Sequence, residues 1–351
     1  MFIRVFSLFE GVVLLKIVVL LVIAAYLLDG ISMPMATGVP YKPGEEFSQV
    51  EKRLKTTVSH LASKIGHRNV LNYKELQLSS QFIQSTFTSI GYDVNLERYN
   101  VVKRRGYDLY GVKKMKDILE VENVVAIKKG VNSKTLVIGA HYDSVIGSPG
   151  ADDNATGVAV LLELARLLKP FNLHHTIKFV AFVNEEPPYF QTKEMGSYVS
   201  AELSHRRGED IIGMISLESL GFYSHEKNSQ DYPFPLNLIY PTKGNFISFV
   251  GNRDSRSLVR DSIYAFRKTN ALPSEGASLP SLIKEIGFSD QWSYWQFGYK
   301  ALMLTDTAHL RNPHYHKDTD TIDKIDYKTM SRLTLGLVEM FKDLASDKGS
   351  T

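Results

Sequence analysis

The sequence predicts an α/β fold in which a largely parallel sheet is covered by helices on both faces, preceded by one N-terminal hydrophobic helix. Three observations carry this. First, the runs Thr135 to His141 (TLVIGAH) and Thr176 to Val183 (TIKFVAFV) are apolar almost throughout. They lack the alternation of a strand with one wet face, so both faces of the sheet are buried. Second, segments of helical period separate these runs, as in Ala155 to Leu168 (ATGVAVLLELARLL), which is the order of a sheet crossed over by helices. Third, Ile17 to Leu28 (IVVLLVIAAYLL) is an uninterrupted apolar run unlike anything after it.

That run comes first in chain order. With Lys16 tolerated it extends back to Gly11, just long enough to cross a bilayer core of about 30 Å as a helix. Lys16 then snorkels at one end of an uncleaved signal anchor. The other reading is a secretory signal peptide with Arg4 as further leading charge and Gly30-Ile31-Ser32 as a weak cleavage site; the lack of an A-x-A site favours the anchor. Either way residues 1–30 target the membrane and the rest of the chain lies outside the cytoplasm, in the periplasm or cell envelope, anchored or secreted after cleavage.

Residues 31–45 (ISMPMATGVPYKPGE) are rich in Pro and Gly and read as a linker. The remaining 46–351 reads as one domain. Helices are predicted at 46–65, from Val50, Leu54, Val58 and Leu61, and at 73–90, from Leu76, Phe82, Ile83, Phe87 and Ile90. Strands follow at 92–99 and 119–128. After the three segments already named come strands at 211–217, 236–240, 246–250 and 301–305, and helices at 254–269, 290–297 and 326–345.

Composition narrows the function. The 351 residues are 44% hydrophobic and 23% charged, with 24 Gly and 13 Pro, which excludes collagen-like, disordered and many-span membrane proteins. The net charge is only +3. Lys103, Arg104, Arg105, Lys113, Lys114 and Lys116 cluster without interleaved aromatics and read as a solvated face, so no nucleic acid is expected. There is no cysteine. Disulfides, thiolate metal sites and a cysteine nucleophile are excluded, and any metal must be held by His, Asp and Glu.

In an open α/β sheet the ligand crevice lies beyond the carboxyl ends of the strands. His141, Tyr142 and Asp143 close the first apolar run; Asn184, Glu185 and Glu186 follow the second; Glu218 follows the strand at 211–217, and Asp306 that at 301–305. Gly150-Ala151-Asp152-Asp153-Asn154 precedes the first crossover helix. Each feature alone reads equally well as solvated polar surface, but together they converge on one rim. A dinuclear site without cysteine needs imidazoles, carboxylates, one bridging carboxylate and one left free as a base. The inventory is His141 and a later His, Asp153 or Asp152, Glu186, Glu218, and Glu185 beside Glu186. Two such metals lower the pKa of a shared water and polarise a carbonyl, so hydrolysis is the expected reaction class.

The blocks GAHYDSVIGSPGADDNATGVAVLLELARLL, FVAFVNEEPPYFQTKEMGS, ISLESLGFYS and SDQWSYWQFGYKALMLTDTAHLRNPHYHKDTDTIDKIDY resemble the family 28 zinc metallopeptidases, the group of bacterial leucyl-type aminopeptidases and related to glutaminyl cyclases. The similarity runs in order from about residue 47 to 345. It implies a three-layer αβα fold with a mixed, mostly parallel sheet of the zinc aminopeptidase, phosphorylase/hydrolase-like type. It implies two zinc ions, His141 and Glu218 on one, Glu186 and His316 on the other, with Asp153 bridging. Glu185 would be the general base toward the activated water, and Asp143 would orient His141. No cofactor beyond the metals is implied, and the partner is a peptide with a free N-terminus.

Tyr315-His316 followed by Asp320-Thr321 matches the family's Y-H-x-x-x-D-T pattern and selects His316 over His309, His314, His174 and His175. Three departures stand out: Glu218 where many relatives have Asp, Gln291 in Ser289-Asp290-Gln291 where Ser-Asp-His is usual, and Ile286 where an oxyanion-stabilising tyrosine is known, leaving Tyr294 or Tyr315 for that role. Asn154-Ala155-Thr156 is a formal glycosylation sequon but opens a helix, so a capping role is expected. The expected function is therefore a co-catalytic dizinc aminopeptidase. The rivals are a single-zinc glutaminyl-peptide cyclotransferase and a non-catalytic receptor-like module on the same fold.

Overall fold

A computed structural model describes residues 16–19, 21, 22, 25–36, 38, 42, 44–104 and 117–347. The core is an eight-stranded mixed sheet of order β1-β2-β4-β3-β5-β8-β6-β7. Its strands are β1 (Val94–Val102), β2 (Ile118–Lys128), β3 (Thr135–His141), β4 (Thr176–Phe182), β5 (Ile211–Glu218), β6 (Ile247–Asn252), β7 (Ser274–Leu279) and β8 (Ala301–Thr305). The central four, β4-β3-β5-β8, run parallel. The antiparallel β1–β2 and β2–β4 pairs extend one edge, and β6, antiparallel to β8 and parallel to β7, extends the other.

Continuous apolar strands bury both faces, as predicted. Leu136, Ile138, Phe179 and Ala181 belong to the larger core, while Val137, Val180 and Phe182 face a smaller one on the opposite side. Gly139 makes the second face possible: a Cβ there would lie 2.1 Å from the Phe182 ring. The larger core is covered by α1 (Phe47–Ser59), α2 (Tyr73–Ile90), α3 (Gly157–Leu168), α5 (Arg256–Arg267) and α7 (Tyr327–Leu344), and the smaller by α4 (Gly196–Arg206) and the short α6 (Gln291–Trp295). In α1, Val50, Leu54 and Val58 recur every fourth residue and are fully buried, each contributing about 1.5–3 kcal/mol relative to exposure. The predicted helix at 46–65 changes character at His60, where a wide π turn runs to Ile65.

The expected strand at 236–240 is not formed. Leu236–Leu238 is a single 3-10 turn, because Pro233, Pro235 and Pro241 bracket it and proline has no N–H to give a ladder. β7 and α4 were not anticipated: SEGASL is too polar to read as buried, and GSYVSAELSHR has too weak an apolar stripe.

The start of the expected linker is fixed rather than free. Asp29, just before it, pairs with Arg253 (2.7 Å) and with Arg256 on α5, Arg267 donates to Pro34 O, and Ile31 packs against the cluster of Ala277, Leu279 and Ile286. Among the residues before it, 16–19, 21, 22 and 25–31 are helical, with Ile17, Leu21, Val22 and Leu28 exposed. The remainder of the predicted 1–30 segment, and Arg105, Lys113, Lys114 and Lys116 of the basic cluster, lie outside the described residues. Among the described residues no helix is long and apolar enough to cross a membrane.

Candidate metal centre

β3, β4 and β5 deliver the functional residues to one rim. His141 is the last residue of β3 and Glu218 the last of β5, while Asn184, at φ 59°, turns the chain out of β4 so that Glu185 and Glu186 follow it. Asn is among the residues that tolerate this left-handed conformation. The loop from Tyr142 to Gly150 returns over the strand ends and is held by Arg68, which is fully buried. Its guanidinium donates to the carbonyls of Tyr142 (2.8 Å), Gly66 (3.2 Å), Pro149 (2.5 Å) and Gly150 (2.8 Å).

Gly150, at φ 59°, then admits a turn in which any Cβ would lie 2.3 Å from the Asp153 carbonyl. Asp153 follows in a wide, irregular turn, with the amides of Asp152 and Asp153 donating to the two oxygens of Asp320 (2.9 and 3.2 Å). Asn154 is buried and holds β5 to the start of α3: its Nδ2 donates to Leu217 O (2.8 Å), and its Oδ1 accepts from Gly157 N and Ser219 N (both 3.1 Å). The sequon side chain is thus spent inside the fold. Replacing Arg68 by Met should leave several buried carbonyls unpaired at about 1–3 kcal/mol each. The expected outcome is a loss of several kcal/mol in urea unfolding, together with weakened zinc binding because Asp153 loses its support.

The two oxygens of Asp153 face different histidines. Oδ1 lies 3.2 Å from His141 Nε2, and Oδ2 lies 3.1 Å from His316 Nε2. His141 Nε2 is also 3.2 Å from Glu218 Oε2, and His316 Nε2 is 3.3 Å from Glu186 Oε2. His141, Asp153 and Glu218 form one metal-sized triad, and Asp153, Glu186 and His316 a second that shares Asp153.

These residues fit zinc. A tetrahedral ion with bonds of about 2.0–2.1 Å spaces its ligand atoms at about 3.3 Å, which is the spacing seen. Despite its 3.2 Å separation from His141 Nε2, Asp153 Oδ1 is buried with no hydrogen-bond partner. Donor atoms that converge without bonding to each other suit a shared cation. All the donors are imidazole or carboxylate, as the absence of cysteine required.

Charge tells the same story. Burial disfavours the His141 cation, yet Glu218, Asp143 and Asp153 outweigh it and raise its pKa well above the ordinary value. His316 is likewise pushed up to about 11, Asp153 and Glu186 overcoming its burial. Burial and the neighbouring Asp153 push Glu186 up to about 7. The pocket's carboxylates favour cationic charge, which a bound metal would supply in place of protons.

Asp143, expected to orient His141, also contacts the chain after β4. His141 Nδ1 is 3.2 Å from the Asp143 carbonyl and 3.5 Å from its Oδ1, which leaves Nε2 for the centre. The same carboxylate accepts the amide of Glu185 on Oδ1 and that of Glu186 on Oδ2, both at 3.1 Å. One side chain therefore fixes residues of both triads and the candidate base. Asp143→Asn would set an amide N–H₂ against one of those N–H groups. It should cost about 10- to 100-fold in zinc affinity or activity, the range for such outer partners, as read by competition with a metallochromic indicator.

Other features were invisible in the sequence. Ser219 Oγ and Ser289 Oγ donate to the two oxygens of Glu218 (3.0 and 2.7 Å), so the serine of Ser289-Asp290-Gln291 supports the longer acid. Gln291 instead donates to Ile286 O (2.8 Å). Of the candidate tyrosines, Tyr294 is buried against Ser200 on the far face, whereas Tyr315 stacks on His316 and lines the cleft with Glu185, Phe190 and Phe288. His309 lines that cleft outside both triads, His314 contacts Thr319, and His174 and His175 lie beside Asp347 and Asn132. Asp306 points inward, accepting from Phe222 N and Ala308 N.

The model of peptidase family M28 matches residues 123–340. The chain belongs to peptidase family M28. Membership makes it a hydrolase, and the M28 chain is 34% identical to the uncharacterized protein YfbL of Escherichia coli over 298 residues, 82% of this chain and 87% of that one. BSAP, a zinc aminopeptidase from Bacillus subtilis, shares its fold with a TM-score of 0.65 at 18% identity, covering 90% of this chain and 98% of BSAP. So does the Fimbriiglobus ruber glutaminyl cyclase, at TM-score 0.61 and 17% identity, covering 88% and 98%. The mixed sheet is thus the architecture of both activities.

Proposed function

We propose that this M28 chain is a dizinc aminopeptidase that releases the first residue of peptides with a free N-terminus. One observation carries the reading: Asp153 divides its two oxygens between two complete triads while Glu185 stands beside them uncommitted. A single-zinc cyclotransferase would leave His141 and Glu218 as a buried imidazole and carboxylate without a cation between them. The likeness to BSAP supports the choice of metal.

When bound, two zinc ions supply a Lewis acid for the scissile carbonyl and a lowered pKa for a shared water. The protein does the rest. His141, Glu218, Glu186, His316 and Asp153 hold the centre, and Asp143 sets the imidazole tautomer. Glu185 is 5% exposed, with Oε2 4.0 Å from His141 Nε2. Burial, then Glu186, Glu218 and Asp290, raise its pKa against the opposing pull of His141. A carboxylate so placed takes a proton from the attacking water and returns it to the leaving amine. Tyr315 offers a phenol from the cleft wall to the developing oxyanion, and the neighbouring carboxylates suit an α-ammonium group.

We also infer that the apolar segment 17–28 carries the domain to the membrane and out of the cytoplasm, with Asp29 marking where it meets the fold. External protease should then reach the domain in intact spheroplasts; protection would contradict export. For the activity, chelation should abolish hydrolysis of amino-acyl anilides and zinc should restore it. Equal turnover of N-acetylated counterparts would remove the free N-terminus from the reading.

A further inference from the structure

Beside the metal centre lies a second cleft that shares Glu218, Phe288, His309 and Tyr315 with it. Its floor is the sheet face carried by Ser248 and Val250 of β6, Glu275, Ala277 and Leu279 of β7, and Met303 and Thr305 of β8. Tyr232, Leu236 and Tyr240 wall its opening. The lining is mostly apolar, and two of its polar groups have no partner. Tyr232 Oη is buried without a hydrogen-bond partner, and Glu275 has no hydrogen bond or ion pair among the described residues. The nearest cation, Arg267, instead donates to Ser274 and Pro34.

Register places the acid relative to the metals. Glu218 pairs with Thr305, Thr305 with Ser248, and Ser248 with Glu275. These residues form one row on one face, so Glu275 sits about 14 Å across the sheet from Glu218 at the usual strand spacing. A substrate whose first residue is held at the metals would run its side chain along this row toward Glu275.

We propose that this cleft receives the side chain of the substrate's first residue and selects a long apolar stem ending in a cation, lysine or arginine, with Glu275 as the specificity-determining residue. The inference rests on the aminopeptidase reading and names its substrate class. Val250, Leu279 and Met303 pack the methylenes; Glu275 and Tyr232 take the charged end. A purely apolar side chain would fill the same space but leave the carboxylate buried and unpaired, which is how sites built for a polar group reject analogues lacking it.

The test compares lysyl and arginyl anilides with the norleucyl anilide, whose stem matches lysine without the charge, on the zinc-loaded full chain. Binding of free L-lysine and L-norleucine by calorimetry reads the same preference without turnover. We expect kcat/KM for the cationic substrates to exceed norleucine by at least about 10-fold, with the same order in binding. Glu275→Gln should bring both ratios to about one, and Tyr232→Phe should lower them in the same direction. A wild-type ratio at or below one in both measurements, or ratios unmoved in Glu275→Gln, overturns the proposal. If no anilide is hydrolysed yet lysine binds preferentially and Glu275→Gln abolishes that preference, the pocket assignment stands and the aminopeptidase reading falls.

Discussion

Glu185→Gln should lower kcat by about 10³-fold, within the range of a lost general acid–base, while zinc content, thermal midpoint and substrate KM should stay near wild type. The contrast between lost turnover and retained metal is the informative part. Glu185 belongs to neither triad, and its backbone is fixed by Asp143 through the amide, which Gln keeps. The isosteric change therefore removes only the ability to hold a proton. If zinc were lost in parallel, Glu185 would be a ligand; if turnover survived, the proton would be carried elsewhere. Steady-state kinetics and metal analysis on the same preparation separate these outcomes.

Asp153→Ala has the broadest expected effect. It removes one donor from each triad at once, so bound zinc should fall from two per chain toward none and hydrolysis to background. Glu186→Ala and Glu218→Ala each touch a single triad and should cost one ion more than the other. The loss in Asp153→Ala should exceed the roughly 10- to 100-fold typical of outer partners. Ligand binding raises stability by mass action, so the zinc-dependent rise in thermal midpoint should also vanish. A variant that kept two ions would show that Asp153 does not bridge.

Much of this site could be read from the chain because the parallel strands make it a matter of position. His141 and Glu218 end their strands, and Glu185 and Glu186 follow theirs within a few residues; the crevice rule needs nothing more than the apolar runs. His316 lies on a loop, at φ 59°, and only its family pattern distinguished it from His309 and His314. What the sequence could not show were contacts made across long separations. Arg68, which stitches the loop before Asp153, sits in an ordinary polar stretch; Ser289 reaches Glu218 from 71 residues away. The β6–β7 edge was obscured for a different reason. SEGASL carries little hydrophobicity because Ser274, Gly276 and Ser278 alternate with Glu275, Ala277 and Leu279, so the buried strand shows no apolar run. The position least legible as structure is therefore the one argued to choose the substrate.

Metal titration of the chelated full chain, followed by calorimetry and by hydrolysis of an amino-acyl anilide on the same samples, tests the central claim most directly. Two equivalents of zinc per chain should bind, and full activity should require both. Saturation at one equivalent, with activity complete at that point or with cyclisation of an N-terminal glutaminyl peptide in place of hydrolysis, would contradict the shared Asp153 centre.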